Sequence, residues 1–143
     1  PGSVYQFGSV VVEERDIVDF AGKFDPQAFH LSGDDAERNP FGGLIASGWH
    51  TAAVTMRLLV DHYISHAAGM GSPGSGPIRW IRPVRPGDEL SIRVTVLKAT
   101  RSRLKPDRGI VRSFVETMNQ HGDVVMTRIA IAIFRCRTGR EEV

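Results

Sequence analysis

Residues 47–68 read Ser47-Gly48-Trp49-His50-Thr51-Ala52-Ala53-Val54-Thr55-Met56-Arg57-Leu58-Leu59-Val60-Asp61-His62-Tyr63-Ile64-Ser65-His66-Ala67-Ala68. Trp49, Ala52, Ala53, Met56, Leu59, Val60, Tyr63 and Ala67 recur at helical spacing, while Val54, Leu58 and Ile64 carry apolar surface around the remaining sides. The pattern predicts one long helix from Ser47 to about Ala68, with the Ser47 hydroxyl capping its first free amides. A helix that is apolar nearly all round is expected to be enclosed by other structure.

The enclosing structure is read downstream. Ile92, Val94 and Val96 alternate with Arg93 and Thr95, as in a strand. A second strand over about residues 109–118 follows the turn-forming Lys105-Pro106-Asp107-Arg108-Gly109, and a third from about Val124 to Arg135 follows Asn119-Gln120-His121-Gly122-Asp123. In the third, Ile129, Ile131 and Ile133 share one face and Ala130 and Ala132 the other. Between helix and strands, residues 69–76 read as a glycine-rich loop. Residues 78–90 alternate arginines with apolar residues, and their prolines suit a strand edge or end. Long antiparallel strands and one apolar helix imply an α+β fold with a sheet curled around that helix.

The N-terminal third is less regular. Residues 4–12 are a β-rich run, and Ile17, Phe20, Ala21 and Phe24 predict a short amphipathic helix over about 14–22, closed by Gly22. Residues 25–46 hold two prolines and the Gly42-Gly43 pair, so they are expected to be irregular apart from a turn of helix near Asp34 to Arg38. No repeat or long linker divides the chain, and a single domain over residues 1–143 is expected.

Composition excludes several classes of function. With 41% hydrophobic and 24% charged residues the chain has the make-up of a folded soluble protein. No run approaches the roughly 18 apolar residues of a membrane span, and Pro1-Gly2-Ser3 carries no signal pattern, so a cytoplasmic home off the membrane is the default expectation. Eighteen Lys and Arg against 16 Asp and Glu leave +2, too balanced for a dedicated nucleic-acid binder. Cys136 stands alone, so no internal disulfide forms, and it reads as an ordinary side chain. The basic residues do cluster: Lys98, Arg101, Arg103, Lys105, Arg108 and Arg112 crowd a stretch whose one acid is Asp107. Such a cluster either holds a phosphorylated ligand or is the solvated tip of a hairpin.

Asp25 and His30 are the acid/base candidates. Five residues apart, they would diverge by roughly 140° on a helix, but Pro26 biases Asp25 away from helical dihedrals and favours a turn that brings both together. A carboxylate and an imidazole meeting there can share a water molecule and divide two proton transfers; on spacing alone, a structural hydrogen bond inside a loop remains the plainer reading. The glycine-rich approach Phe41-Gly42-Gly43-Leu44-Ile45-Ala46-Ser47-Gly48 leads to a helix N-terminus, where free N–H groups meet a partial positive charge. The Gly48 amide can there stabilise a thioester oxygen, or the glycine can serve packing alone. His62 and His66 lie at i, i+4 but lack the acid that completes a zinc-protease pattern, so no metal site is expected. Dinucleotide and P-loop glycine patterns are absent from the sequence.

Taken in order, Phe24-Asp25-Pro26-Gln27-Ala28-Phe29-His30-Leu31, the Gly-Gly-Leu-Ile-Ala-Ser-Gly-Trp-His-Thr helix entry at 42–51 and the Arg-Pro-Val-Arg-Pro-Gly-Asp segment at 82–88 resemble the MaoC-like dehydratase family of hot-dog-fold proteins. (R)-specific enoyl-CoA hydratases belong to that family. The likeness spans about residues 5–136. It implies that Asp25 and His30 form a water-holding dyad, that the Gly48 amide is the oxyanion contact, and that Ser47 to Trp49 rim the acyl pocket. It further implies a homodimer or larger assembly with the site at the subunit interface. Ala28 stands where proline is common and Ser32 where many relatives have aspartate, and Ser32-Gly33-Asp34-Asp35 looks like an insertion.

The expected function is therefore hydration or dehydration of an enoyl or 3-hydroxyacyl thioester on CoA or an acyl carrier. Asp25 takes a proton from water, His30 assists delivery to the α-carbon, and no cofactor is needed beyond the CoA of the substrate. Arg82, Arg85, Arg103 and Arg108 are candidate contacts for the CoA phosphates, since the guanidinium fork suits phosphate. A hot-dog acyl-CoA thioesterase and a non-catalytic acyl-thioester-binding module are the alternatives; fold does not decide between them.

Overall fold

The computed structural model describes residues 1–34, 39–64 and 69–136. In chain order these form strand β1 (Val4–Val11), helix α1 (Glu14–Phe24), the single turn α2 (Ala28–Leu31), helix α3 (Gly48–Leu59) and strands β2 (Ser75–Trp80), β3 (Glu89–Arg101), β4 (Arg108–Met118) and β5 (Val124–Arg135). The strands make one antiparallel sheet of order β1-β3-β4-β5-β2. This is the expected α+β hot-dog arrangement, a sheet with α3 against one face.

Two apolar clusters join helix to sheet. Leu58 and Leu59 of α3 pack on Ile92, Val94 and Val115, and Val12, Ile17, Leu44, Val84, Leu90 and Met126 form a second cluster below them, nearer the glycine-rich segment. Val54 touches both clusters. Burying each such side chain contributes about 1.5–3 kcal/mol, so the two clusters fix where α3 lies.

Several expectations are corrected. Helix α1 does not stop at Gly22 but runs to Phe24, and Asp25 leaves helical geometry at φ −153° and ψ 66°. The stop is Pro26: it has no N–H to continue the helix and restricts the residue before it. The stretch expected to be irregular contains α2. The regular part of α3 ends at Leu59, and Val60–Ile64 continue as a π-helical turn. The expected helix end at 65–68, and residues 35–38 of the expected turn, lie outside the described residues. Residues 69–76 are not a free loop. The Met70 amide donates to the Ile133 carbonyl at 2.8 Å and the Ile133 amide to Gly71 at 2.9 Å. Ser75 already opens β2, where Gly76 lies so close to β5 that a Cβ would sit 2.6 Å from Ile129 Cβ.

Helix α3 is not enclosed on every side either. His50, Thr51, Thr55, Leu58 and Leu59 are buried, while Trp49, Met56 and Val60 are 59, 39 and 40% exposed. Five strands curl past only part of the helix, and the open flank starts beside the edge strand β2, where Trp49 meets Trp80. Among the described residues, no helix is long and apolar enough to cross a membrane.

Candidate active site

The end of α1 and the turn of α2 bring Asp25 and His30 side by side, with His30 Nε2 3.2 Å from Asp25 Oδ2. His30 is buried, and its Nδ1 lies 2.8 Å from the Ile45 carbonyl oxygen. A carbonyl only accepts, so Nδ1 carries a proton and Nε2 is the nitrogen left to exchange one. The contact with Asp25 is then a hydrogen bond when Nε2 is also protonated, that is, for an imidazolium facing a carboxylate.

Asp25 is held by further donors. Gln27 Nε2 donates to Oδ1 at 2.6 Å and Ser47 Oγ to Oδ2 at 2.7 Å. The Gln27 bond first, then the Ser47 bond and the nearby His30 charge, hold the Asp25 carboxyl below its ordinary value, against the opposing effect of burial. Ser47 is fully buried and also accepts from the Trp49 amide at 3.3 Å. It is thus the expected N-cap of α3, but it ties the dyad to the helix instead of rimming a pocket.

Beside the dyad opens an apolar pocket of about 390 Å³, whose walls include Phe29, Phe41, Gly48, Trp49, Trp80 and Arg82. Gly48 belongs to the first turn of α3, where amides have no acceptor inside the helix and the helix dipole is positive. The absence of a side chain at Gly48 has a packing cause: a Cβ would stand 2.5 Å from Cε2 of Trp80.

The candidate arginines separate. Arg82 lines the pocket, exposed and 3.9 Å from Asp123. Arg85 donates to the Phe41 carbonyl. Arg103 and Arg108 belong to the other end of the sheet. Trp80 pairs with Met126 and Arg108 with Arg135, nine positions further along β5, or roughly 30 Å of strand. Within one chain they do not reach the dyad, and Arg108 is paired through two 3.0 Å hydrogen bonds with Asp107. Of the remaining histidines, His62 stacks on Phe7 and His66 lies outside the described residues. His50 is buried, stacked on Phe20, with no partner for its Nδ1 among the described residues; burial draws its pKa down, with Asp16 opposing.

Gln27 and Trp80 are the site residues that sequence reasoning passed over. Gln27 carried a signal, an amide two residues from the carboxylate in a turn. Trp80 carried none, because its partner Gly48 is 32 residues away.

The family model described as MaoC like domain matches residues 1–119. The uncharacterized protein YdeM of Bacillus subtilis (strain 168) is 34% identical over 119 residues, 83% of each chain. The crystal structure of a MaoC-like dehydratase from Rhodospirillum rubrum superposes with a TM-score of 0.89 at 45% identity, over 96% of this chain and 93% of that one. The (R)-hydratase PhaJ1 of Pseudomonas aeruginosa shares the fold, with a TM-score of 0.67 at 23% identity over 96% of this chain and 82% of its own. The chain belongs to the MaoC-like domain family.

Proposed function

We propose that this chain interconverts enoyl and 3-hydroxyacyl thioesters by adding or removing water, with acyl-CoA as the first substrate to test. The observation that carries the reading is the Asp25–His30 contact at 3.2 Å, opening onto an apolar pocket beside the first-turn amide of α3. In hydration, the Asp25 carboxylate takes a proton from water as its oxygen bonds the β-carbon. The π electrons move toward the thioester oxygen, which the Gly48 N–H stabilises, and the His30 Nε2 proton passes to the α-carbon. The proton left on Asp25 returns to Nε2 across their contact, which restores the starting state. Protons and electrons balance with water, dyad and thioester alone, so the reaction calls for no metal or nicotinamide.

A second copy of the chain is part of the proposal. The open apolar flank of α3 and the edge strand β2 adjoin one another, and covering both would complete the pocket wall at Trp49 and Trp80.

A panel of enoyl-CoA substrates, followed by loss of the conjugated double bond and chiral analysis of the product, tests the activity. Hydration leaves the thioester intact. Release of free CoA from saturated acyl-CoA without hydration would make the chain a thioesterase, and binding without turnover would make it an acyl-thioester-binding module.

A further inference from the structure

We propose that residues 80–85 form a strap that positions the first turn of α3, and that Trp80 and Arg85 are positioning residues that act on the reaction through Gly48; this rests on the hydratase reading above. Three tethers run from the strap to the glycine-rich approach. The Trp80 indole N–H donates to the Gly48 carbonyl at 2.8 Å. The Ala46 amide donates to the Val84 carbonyl at 2.8 Å. The Arg85 guanidinium donates to the Phe41 carbonyl. The Trp80 ring also lies against Gly48 so closely that no side chain fits there, and Trp49 meets that ring edge-on with centroids 5.1 Å apart.

The strap is itself fixed. Trp80 pairs with Met126 of β5, the Ile81 amide donates to the Val125 carbonyl at 2.8 Å, and Val84 is buried. The Asp88 carboxylate accepts from the Arg85 amide at 2.9 Å. A rigid edge of the sheet therefore sets the position of the peptides at residues 46–48.

Those peptides carry the chemistry. The Trp49 amide is taken by Ser47 Oγ and the Thr51 amide by the Ser47 carbonyl. Gly48, lining the pocket, is left to present its N–H to a thioester oxygen. Ser47, one residue earlier, holds Asp25. The strap thus sets how far the oxyanion donor stands from the dyad, and catalysis is sensitive to that separation at the level of an ångström.

The test uses Trp80→Phe, which removes the indole donor while keeping a ring, and Arg85→Ala, which removes an exposed tether. With a short enoyl-CoA, kcat of Trp80→Phe is expected to fall about tenfold or more while KM stays within about threefold, the signature of a misplaced transition-state contact. Arg85→Ala is expected to move kcat in the same direction by a smaller factor. Vibrational spectroscopy of bound enoyl-CoA in an Asp25→Asn background, where the ligand is not consumed, reads the donor directly. The thioester carbonyl stretch shifts to lower frequency in Asp25→Asn and shifts less in Asp25→Asn/Trp80→Phe. Unchanged kcat in both single variants, or an equal carbonyl shift with and without Trp80, would overturn the strap. Should Trp80→Phe fail to fold by circular dichroism, Arg85→Ala decides alone. Absence of both turnover and a shifted carbonyl in otherwise native protein would instead overturn the hydratase reading.

Discussion

The two ends of the sheet make opposite use of polar residues. At the end where β2 and β5 meet the start of α3, polar groups converge on one point: His30 and Ser47 are buried, and Asp25 receives hydrogen bonds from Gln27 and Ser47 while facing His30. At the other end, the β3–β4 hairpin carries most of the local positive charge, yet its side-chain hydrogen bonds are between near neighbours. Arg108 pairs with Asp107 and Arg101 donates to the Pro106 carbonyl. Charge density marks the hairpin in the sequence, whereas burial of His30 and Ser47, and the contacts that residues 45–47 make to the Asp25–His30 pair, mark the site. The second kind of feature can hold a reacting molecule, because hydrogen bonds gain strength when water is excluded.

The sharpest way to break this contrast is to remove the dyad. Asp25→Asn and His30→Ala are each expected to lower hydration by about 10²–10⁴-fold with the fold intact. Near-normal rates in folded, purified variants would leave the site end with no catalytic claim over the hairpin. Because Asp25 is held below its ordinary value near 3.8, it remains ionised down to that pH. Any loss of activity between pH 5 and pH 7 then belongs to another group, and a pH–rate profile of the wild type checks it.

Ser47→Ala tests whether the two halves of the site are linked. The substitution removes the helix cap, a loss of about 1 kcal/mol in stability, and takes one donor from Asp25 Oδ2, which then faces His30 alone. Turnover is expected to fall by a smaller factor than in Asp25→Asn, and the Asp25 carboxyl to titrate higher. An unchanged carboxyl titration by NMR would show that Ser47 acts on the helix alone.

His50 sharpens the comparison through pH. Its folded-state pKa lies below the ordinary 6.5 because burial disfavours the cation. The unfolded chain therefore binds the extra proton more readily, and the stability His50 contributes is present above about pH 6.5 and is lost as pH falls toward its folded value. Replacing it with leucine, which keeps the apolar contact with Phe20, is expected to flatten the fall in melting temperature between pH 7 and pH 5. An identical slope in both proteins would assign the acid sensitivity elsewhere.

What the sequence revealed follows the range of the forces involved. The bounds of β4 and β5 agree with the alternation and turn residues to within one position, since both signals are local. Helix α1 overran Gly22 because the nearby Pro26 is the stronger stop, a competition between two local signals. The docking of residues 69–76 along β5 and the open flank of α3 depend on the sheet's curvature, which no short window contains. At the site, the meeting of Asp25 and His30 was readable from five residues and a proline. Trp80 was not, because its contact with Gly48 exists only once β2 is laid against the start of α3.

The smallest expected effect concerns the arginines that the sequence marked most heavily. Arg103→Gln/Arg108→Gln changes two side chains on the β3–β4 hairpin, roughly 30 Å of strand from the pocket end. An exposed pair such as Arg108–Asp107 contributes little to stability, and salt screens its field beyond about 8–10 Å. Within one chain, then, the double variant is expected to leave KM for a CoA thioester and for its pantetheine analogue within about twofold of wild type. Arg82→Gln, at the pocket, is expected to raise KM for the CoA substrate more than for the pantetheine analogue, with the difference shrinking as ionic strength rises. The reverse ranking, a CoA-selective loss from the hairpin variant and none from Arg82, would mean that the hairpin of a second copy reaches the phosphates. The contrast between the two ends would then hold for the chain but not for its assembly.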